Sequence, residues 1–128
     1  MEKEVFEKIK ECVLRYKEVR LFILFGSRAQ GIARKDSDWD FGYIADPEFD
    51  PLPIYTELTL ALETDHIDLA DLSRASGLLR FRAIRDCIVI YEHPKGQYQK
   101  FWIEAVNFWC DASPIIREEY NDILEGLG

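Results

Sequence analysis

Apolar residues at Val5, Phe6, Ile9 and Val13, extended by Tyr16, recur at helical spacing, so residues 2–17 read as an amphipathic helix. Val19 to Phe25 (VRLFILF) is a nearly continuous apolar run of strand length, the pattern of a strand covered on both faces. The run stops at Gly26-Ser27, where a short helical turn is expected, and the polar stretch from Gly31 to Ser37 reads as a loop. Asp38 to Ala45 (DWDFGYIA) is predicted as a second strand. After a connection punctuated by Pro47, Pro51 and Pro53, a helix is predicted over Ile54 to Thr64. His66 to Leu72 (HIDLADL) reads as a third strand, Ala75 to Arg85 as a helix, and Cys87 to Tyr91 as a fourth strand. Pro94 and Gly96 mark a turn. From Gln97 the pattern is helical to near Leu124, with a fresh start at Ser113-Pro114, where serine suits the cap and proline the first helical position.

Strands alternating with helices, without repeat, linker or low-complexity tract, predict a single α/β (α+β) domain over residues 1–128. Its core would be a small mixed β-sheet with packed helices, followed by C-terminal helices from about residue 97. Hydrophobic residues make up 48% of the chain, enough to fill such a core. The net charge of -8 argues against a dominant nucleic-acid surface, which needs a basic face to neutralise phosphates. A nucleotide remains compatible, because local cations and metal ions can hold a triphosphate in an acidic protein. No apolar stretch is long enough to cross a membrane, and the N-terminus lacks the pattern of a signal peptide. Cys12, Cys87 and Cys110 are widely spaced among apolar residues and read as reduced core thiols, so the expected location is cytoplasmic. His66 and His93 are too far apart for a familiar zinc signature and read as structural histidines.

The stretch with chemical content is FGSRAQGIARKDSDWDFGYIA, Phe25 to Ala45. Asp38 and Asp40 stand two apart on the predicted strand, so their side chains should share one face. Adjacent like charges are costly unless they share divalent cations, and Mg²⁺ favours one or two carboxylates with phosphate oxygens and water. Gly26 removes a side chain where a phosphate must approach the backbone, and Ser27 brings a hydroxyl and free N–H groups to the turn. The alternative reading is a glycine turn followed by a solvated acidic strand end.

Gly26-Ser27, ten residues, then Asp38-Trp39-Asp40 resembles the signature of the polymerase-beta-like nucleotidyltransferase superfamily. The fuller string, with HIDLADLSRASGLLRFRAI, IVIYE and the aromatic closing segment, is similar to its short members, the minimal nucleotidyltransferases. Arg28 matches an arginine common after Gly-Ser in that group, Gln30 stands where a second arginine is frequent, and Phe41 replaces a usual aliphatic residue. The resemblance implies a polymerase-beta-like fold and a third carboxylate on a neighbouring strand. Asp68, mid-strand between Ile67 and Leu69, is favoured for it; Asp71 is second and should face the opposite side. Asp38, Asp40 and Asp68 would then be the catalytic and metal-ligating set for two Mg²⁺ ions, with ATP as substrate. Gly26, Ser27 and Arg28 would bind the nucleotide, and Arg34 or Lys35 could add charge.

Larger relatives carry a second, acceptor-binding domain, whereas here only a broken helical segment follows the last predicted strand, so a partner protein is expected to complete the acceptor site. Phe101, Trp102, Ala105, Phe108 and Trp109, then Ile115, Ile116, Tyr120, Ile123 and Leu124, lie at helical spacing; most should be core, with some left for the partner. The short members it resembles are antitoxins that add AMP to a tyrosine of a HEPN-type ribonuclease toxin. The leading expectation is therefore a protein adenylyltransferase that modifies such a toxin. The alternatives are a small-molecule, antibiotic-type nucleotidyltransferase and a non-catalytic toxin-binding protein.

Overall fold

The computed structural model describes residues 1–111. The elements are α1 (Lys3–Leu14), β1 (Val19–Phe25), α2 (Ser27–Gln30), β2 (Trp39–Ala45), α3 (Leu52–Leu62), β3 (Ile67–Asp71), α4 (Gly77–Arg85), β4 (Ile88–Glu92) and α5 (Gln97–Asp111). The strands form one mixed sheet in the order β3-β2-β1-β4. β1 runs antiparallel to both β2 and β4, while β2 and β3 are parallel. The α/β architecture expected from the alternating pattern is thus present, and α3 makes the crossover between the parallel pair.

The packing of β1 explains why its run is apolar at every position but the exposed Arg20. Phe22 and Leu24 join Ile9 and Val13 of α1 and Ile54 and Leu58 of α3 on one face of the sheet. Leu21, Ile23 and Phe25 point the other way, into a second layer with Leu72, Ala83, Ile84, Phe101 and Ala105. Alternation along β1 therefore feeds two cores, and burial of both drives the sheet between two helical layers. Along β2, Phe41 and Tyr43 enter the α1–α3 layer, whereas Ile44 packs on the α4–α5 side. Gly42 has the parity of Ile44, and a β-carbon there would press on the Leu72 side chain, 2.8–3.0 Å away. The missing side chain lets Leu72 close the layer just below the functional end of the sheet.

Several boundaries differ from the sequence reading, each for a local reason. α1 ends at Leu14 rather than Lys17, because turn bonds from Tyr16 N–H to Val13 C=O and from Val19 N–H to Tyr16 C=O redirect the chain into β1. α3 begins two residues early: Asp50 Oδ1 accepts from Leu52 N–H at 3.0 Å, Pro51 takes the N-cap position, and Pro53 falls in the first turn, where no donor is needed. Ser76 Oγ accepts from Leu79 N–H at 3.2 Å, so α4 starts at Gly77. β2 starts at Trp39, which leaves Asp38 just before the strand. On α5, Phe101 and Ala105 are core, while Trp102 and Phe108 are exposed. The side chain of Trp109, the helix start at Ser113-Pro114, and the apolar positions from Ile115 to Leu124 lie outside the described residues. Among the described residues, no helix is long and apolar enough to cross a membrane.

Candidate active site

The site is built where β1 ends and β2 and β3 begin, beside α2 and α4. Gly26, between β1 and α2, has φ 75 and ψ -159, a conformation open to glycine alone. A β-carbon at Gly26 would overlap the Asp40 carboxylate. Both the backbone angle and the close approach therefore require glycine. α2 is one turn long and ends at Gly31 in the left-handed region, whose N–H returns to Ser27 C=O.

Asp40 and Asp68 are register partners on the parallel strands β2 and β3, so they stand side by side on one face. Asp40 is half-buried; its pKa is raised above 3.8, first by desolvation and then by the negative charges of Asp68 and Asp38, with Arg82 pulling the other way. Asp38 is exposed and joins the group from the loop, held by its neighbour rather than by strand parity. His66 Nδ1 lies 3.4 Å from Asp38 Oδ1, and its Nε2 lies 3.7 Å from Asp65 Oδ1. The sequence reading of His66 as a plain structural residue missed this contact, which strand pairing creates: Trp39 N–H donates to His66 C=O at 2.8 Å.

The donor set of carboxylate oxygens, two of them solvent-exposed, suits a hard cation that keeps waters and takes phosphate oxygens. A divalent ion would also relieve the repulsion that raises Asp40. Among the described residues, no three His, Cys, Asp or Glu side chains are gathered into a complete ligand set by themselves.

Asp71 is not brought to this group. It pairs with Tyr43 in register, accepts from Ser73 N–H at 3.0 Å and Ser73 Oγ at 2.6 Å, and meets Arg74 Nε at 3.7 Å. Arg28 is also turned away from the carboxylates. Its guanidinium donates to Lys35 C=O at 3.2 Å and Ser37 C=O at 2.9 Å, and lies 4.5 Å above the Trp39 ring. With Arg34 N–H bonded to Ser37 Oγ at 2.8 Å, these contacts clamp the loop that delivers Asp38. Trp39 alternates with Asp38 and Asp40, so the clamp works from the back of the site.

A cleft of about 200 Å³ is lined by Gly26, Ser27, Gln30, Ile32, Asp40, Arg82, Arg85 and Asp86. Its cations thus come from α4. Their signal in the sequence is the spacing of Arg82 and Arg85, three apart on one helical face, with Arg80 turned to cap β3 through Leu72 C=O and Ser73 C=O.

The Polymerase beta, Nucleotidyltransferase family matches residues 7–95, which contain β1 to β4 and all the residues of this cleft. The chain belongs to the polymerase-beta nucleotidyltransferase family. A curated relative, protein adenylyltransferase MntA of Aphanizomenon flos-aquae (strain 2012/KM1/D3), is 33% identical over 95 residues, 65% of this chain. The match spans 63% of that relative's length. Among solved structures, a chain of a toxin–antitoxin complex with AMP-PNP superposes with a TM-score of 0.72 at 22% identity, covering 95% of this chain and 97% of that one. A chain from a complex of tri-AMPylated Shewanella oneidensis HEPN toxin with MNT antitoxin gives 0.68 at 20% identity, covering 99% and 98%. At these identities the likeness establishes a shared polymerase-beta nucleotidyltransferase fold, extending beyond the family match into α5.

Proposed function

We propose that this chain is a Mg²⁺-dependent protein adenylyltransferase that moves AMP from ATP to a tyrosine of a HEPN-type ribonuclease toxin and thereby silences it. The observation that carries the catalytic part is the register pairing of Asp40 with Asp68 on parallel strands, beside Gly26-Ser27 and a cleft of nucleotide-phosphate chemistry. The partner and the nucleotide are argued from the relatives: one is named a protein adenylyltransferase, and others are complexes with AMP-PNP or with an AMPylated HEPN toxin.

Asp38, Asp40 and Asp68 would hold the divalent ions, whose charge, when bound, neutralises the triphosphate and eases ionisation of the acceptor hydroxyl. Ser27 offers its hydroxyl to phosphate oxygens, and Gly26 keeps the approach beside Asp40 clear. Arg28 serves the nucleotide indirectly, by fixing the loop that carries Asp38. The tyrosine oxygen attacks the α-phosphorus, the bond to the β-phosphate oxygen breaks, pyrophosphate leaves, and Asp68 takes up the tyrosyl proton. An anionic phosphodiester placed beside an RNA-binding surface would then repel RNA phosphates.

The test compares wild type with the Asp38→Asn, Asp40→Asn double variant in a ribonuclease assay with the purified toxin, ATP and Mg²⁺. Wild type should silence the ribonuclease and the double variant should bind it while leaving it active. Equal silencing by both would favour neutralisation by contact alone.

A further inference from the structure

We propose that Arg82 is the cation that engages the polyphosphate of the bound nucleotide, and that Asp86 and Gln30 keep Arg85 out of that role. The inference rests on the nucleotidyltransferase reading and deepens it by assigning the phosphate-binding charge. Arg82 and Arg85 both line the cleft with Ser27 and Asp40. Their surroundings differ. Arg85 Nε lies 3.3 Å from Asp86 Oδ2, and Gln30 Nε2 reaches the same oxygen at 3.4 Å. Asp86 thus pairs with Arg85 and links the end of α4 to the end of α2. Arg82 instead stands one helical turn nearer the start of α4, on the wall of the cleft that Asp40 and Ser27 also line.

That placement leaves Arg82 as an exposed guanidinium on the cleft wall, beside Ser27 and Asp40, where the phosphates of a nucleotide would enter. Guanidinium groups bind phosphate oxygens through paired, charge-assisted hydrogen bonds. Position 30 supports the same assignment. A glutamine on α2 adds no charge to the cleft and spends its amide on Asp86, so α4 must supply the cation.

The experiment measures equilibrium binding of ATP and of adenosine to the full chain in Mg²⁺, for wild type, Arg82→Gln, Arg82→Lys and Arg85→Gln. Circular dichroism checks that each variant is folded. Loss of a charged hydrogen-bonding partner should weaken ATP binding by about tenfold or more in Arg82→Gln. Adenosine affinity should stay at the wild-type value, Arg82→Lys should recover part of the ATP affinity, and Arg85→Gln should change ATP affinity less than Arg82→Gln. The ATP dissociation constant of Arg82→Gln should also depend less steeply on salt. If folded Arg82→Gln binds ATP as wild type does, or if ATP and adenosine weaken together, the assignment to Arg82 is overturned while the nucleotidyltransferase reading stands. If wild type binds no nucleoside triphosphate, that reading fails and the assignment fails with it.

Discussion

Gly26→Ala tests the geometry of the site through stability and activity together. Gly26 sits at φ 75 and ψ -159, in a region that costs a residue with a β-carbon about 1–3 kcal/mol. The new methyl would also meet the Asp40 carboxylate. Asp40 is only half-buried and can rotate aside, so the overpacking cost should lie near the lower end of the usual range, about 1 kcal/mol. The sum is about 2–4 kcal/mol, a large fraction of a domain's stability but short of unfolding it. For a chain of this size the melting temperature should fall by about 6–15 °C. Gly31→Ala is the control: its φ is +77, and nothing lies within 4 Å of the added β-carbon. It should cost about 1 kcal/mol, from the backbone alone. The difference between the two melts reports the glycine-only backbone region at Gly26 together with the contact with Asp40, and transfer of label from α-labelled ATP reports the effect on chemistry. Displacing Asp40 should lower transfer by about a hundredfold in Gly26→Ala, a loss of roughly 3 kcal/mol of transition-state stabilisation. A Gly26→Ala protein that melts within about 2 °C of Gly31→Ala and transfers at the wild-type rate would refute the reasoning.

Asp40 also gives a pH dependence. Its pKa in the folded chain is raised above the ordinary 3.8, so ionisation costs the fold nothing below that value and destabilises it as pH rises through the folded pKa. Metal-free Asp40→Asn should therefore melt above wild type at pH 7, the gain should vanish as pH falls below 3.8, and added Mg²⁺ should stabilise wild type more than the variant. Asp68→Asn should lower transfer by about a hundredfold or more. Asp71→Ala should keep transfer near wild type and lose about 1–2 kcal/mol of stability with its bonds to Ser73.

Much of the fold was legible because burial imprints simple periods on the chain. The VRLFILF run marked a strand covered on both faces, and the structure sets it between two helical layers. Asp40 and Asp68 were legible as neighbours only with the help of the family resemblance, because parallel register across a helical crossover leaves no local signature. Asp38 shows the limit of parity arguments: a boundary shift of one residue moves it off the strand, and its partner His66 comes from a distant segment. Arg28 was read as a nucleotide ligand from its place after Gly-Ser. What the sequence does not display is that the loop carbonyls of Lys35 and Ser37 fold back to occupy it. Arg82 and Arg85 carry no role in the sequence reading, because only the packing of α4 puts them on the cleft wall.

The most direct measurement of the central claim is the intact mass of the toxin after incubation with this chain, ATP labelled at the α-phosphate, and Mg²⁺. The toxin should gain one or more adenylyl groups on tyrosine, with one pyrophosphate released for each, and Asp38→Asn, Asp40→Asn protein should add none. A toxin that is bound and silenced by wild type with its mass unchanged, or label recovered on a small molecule instead of on the toxin, would contradict the claim.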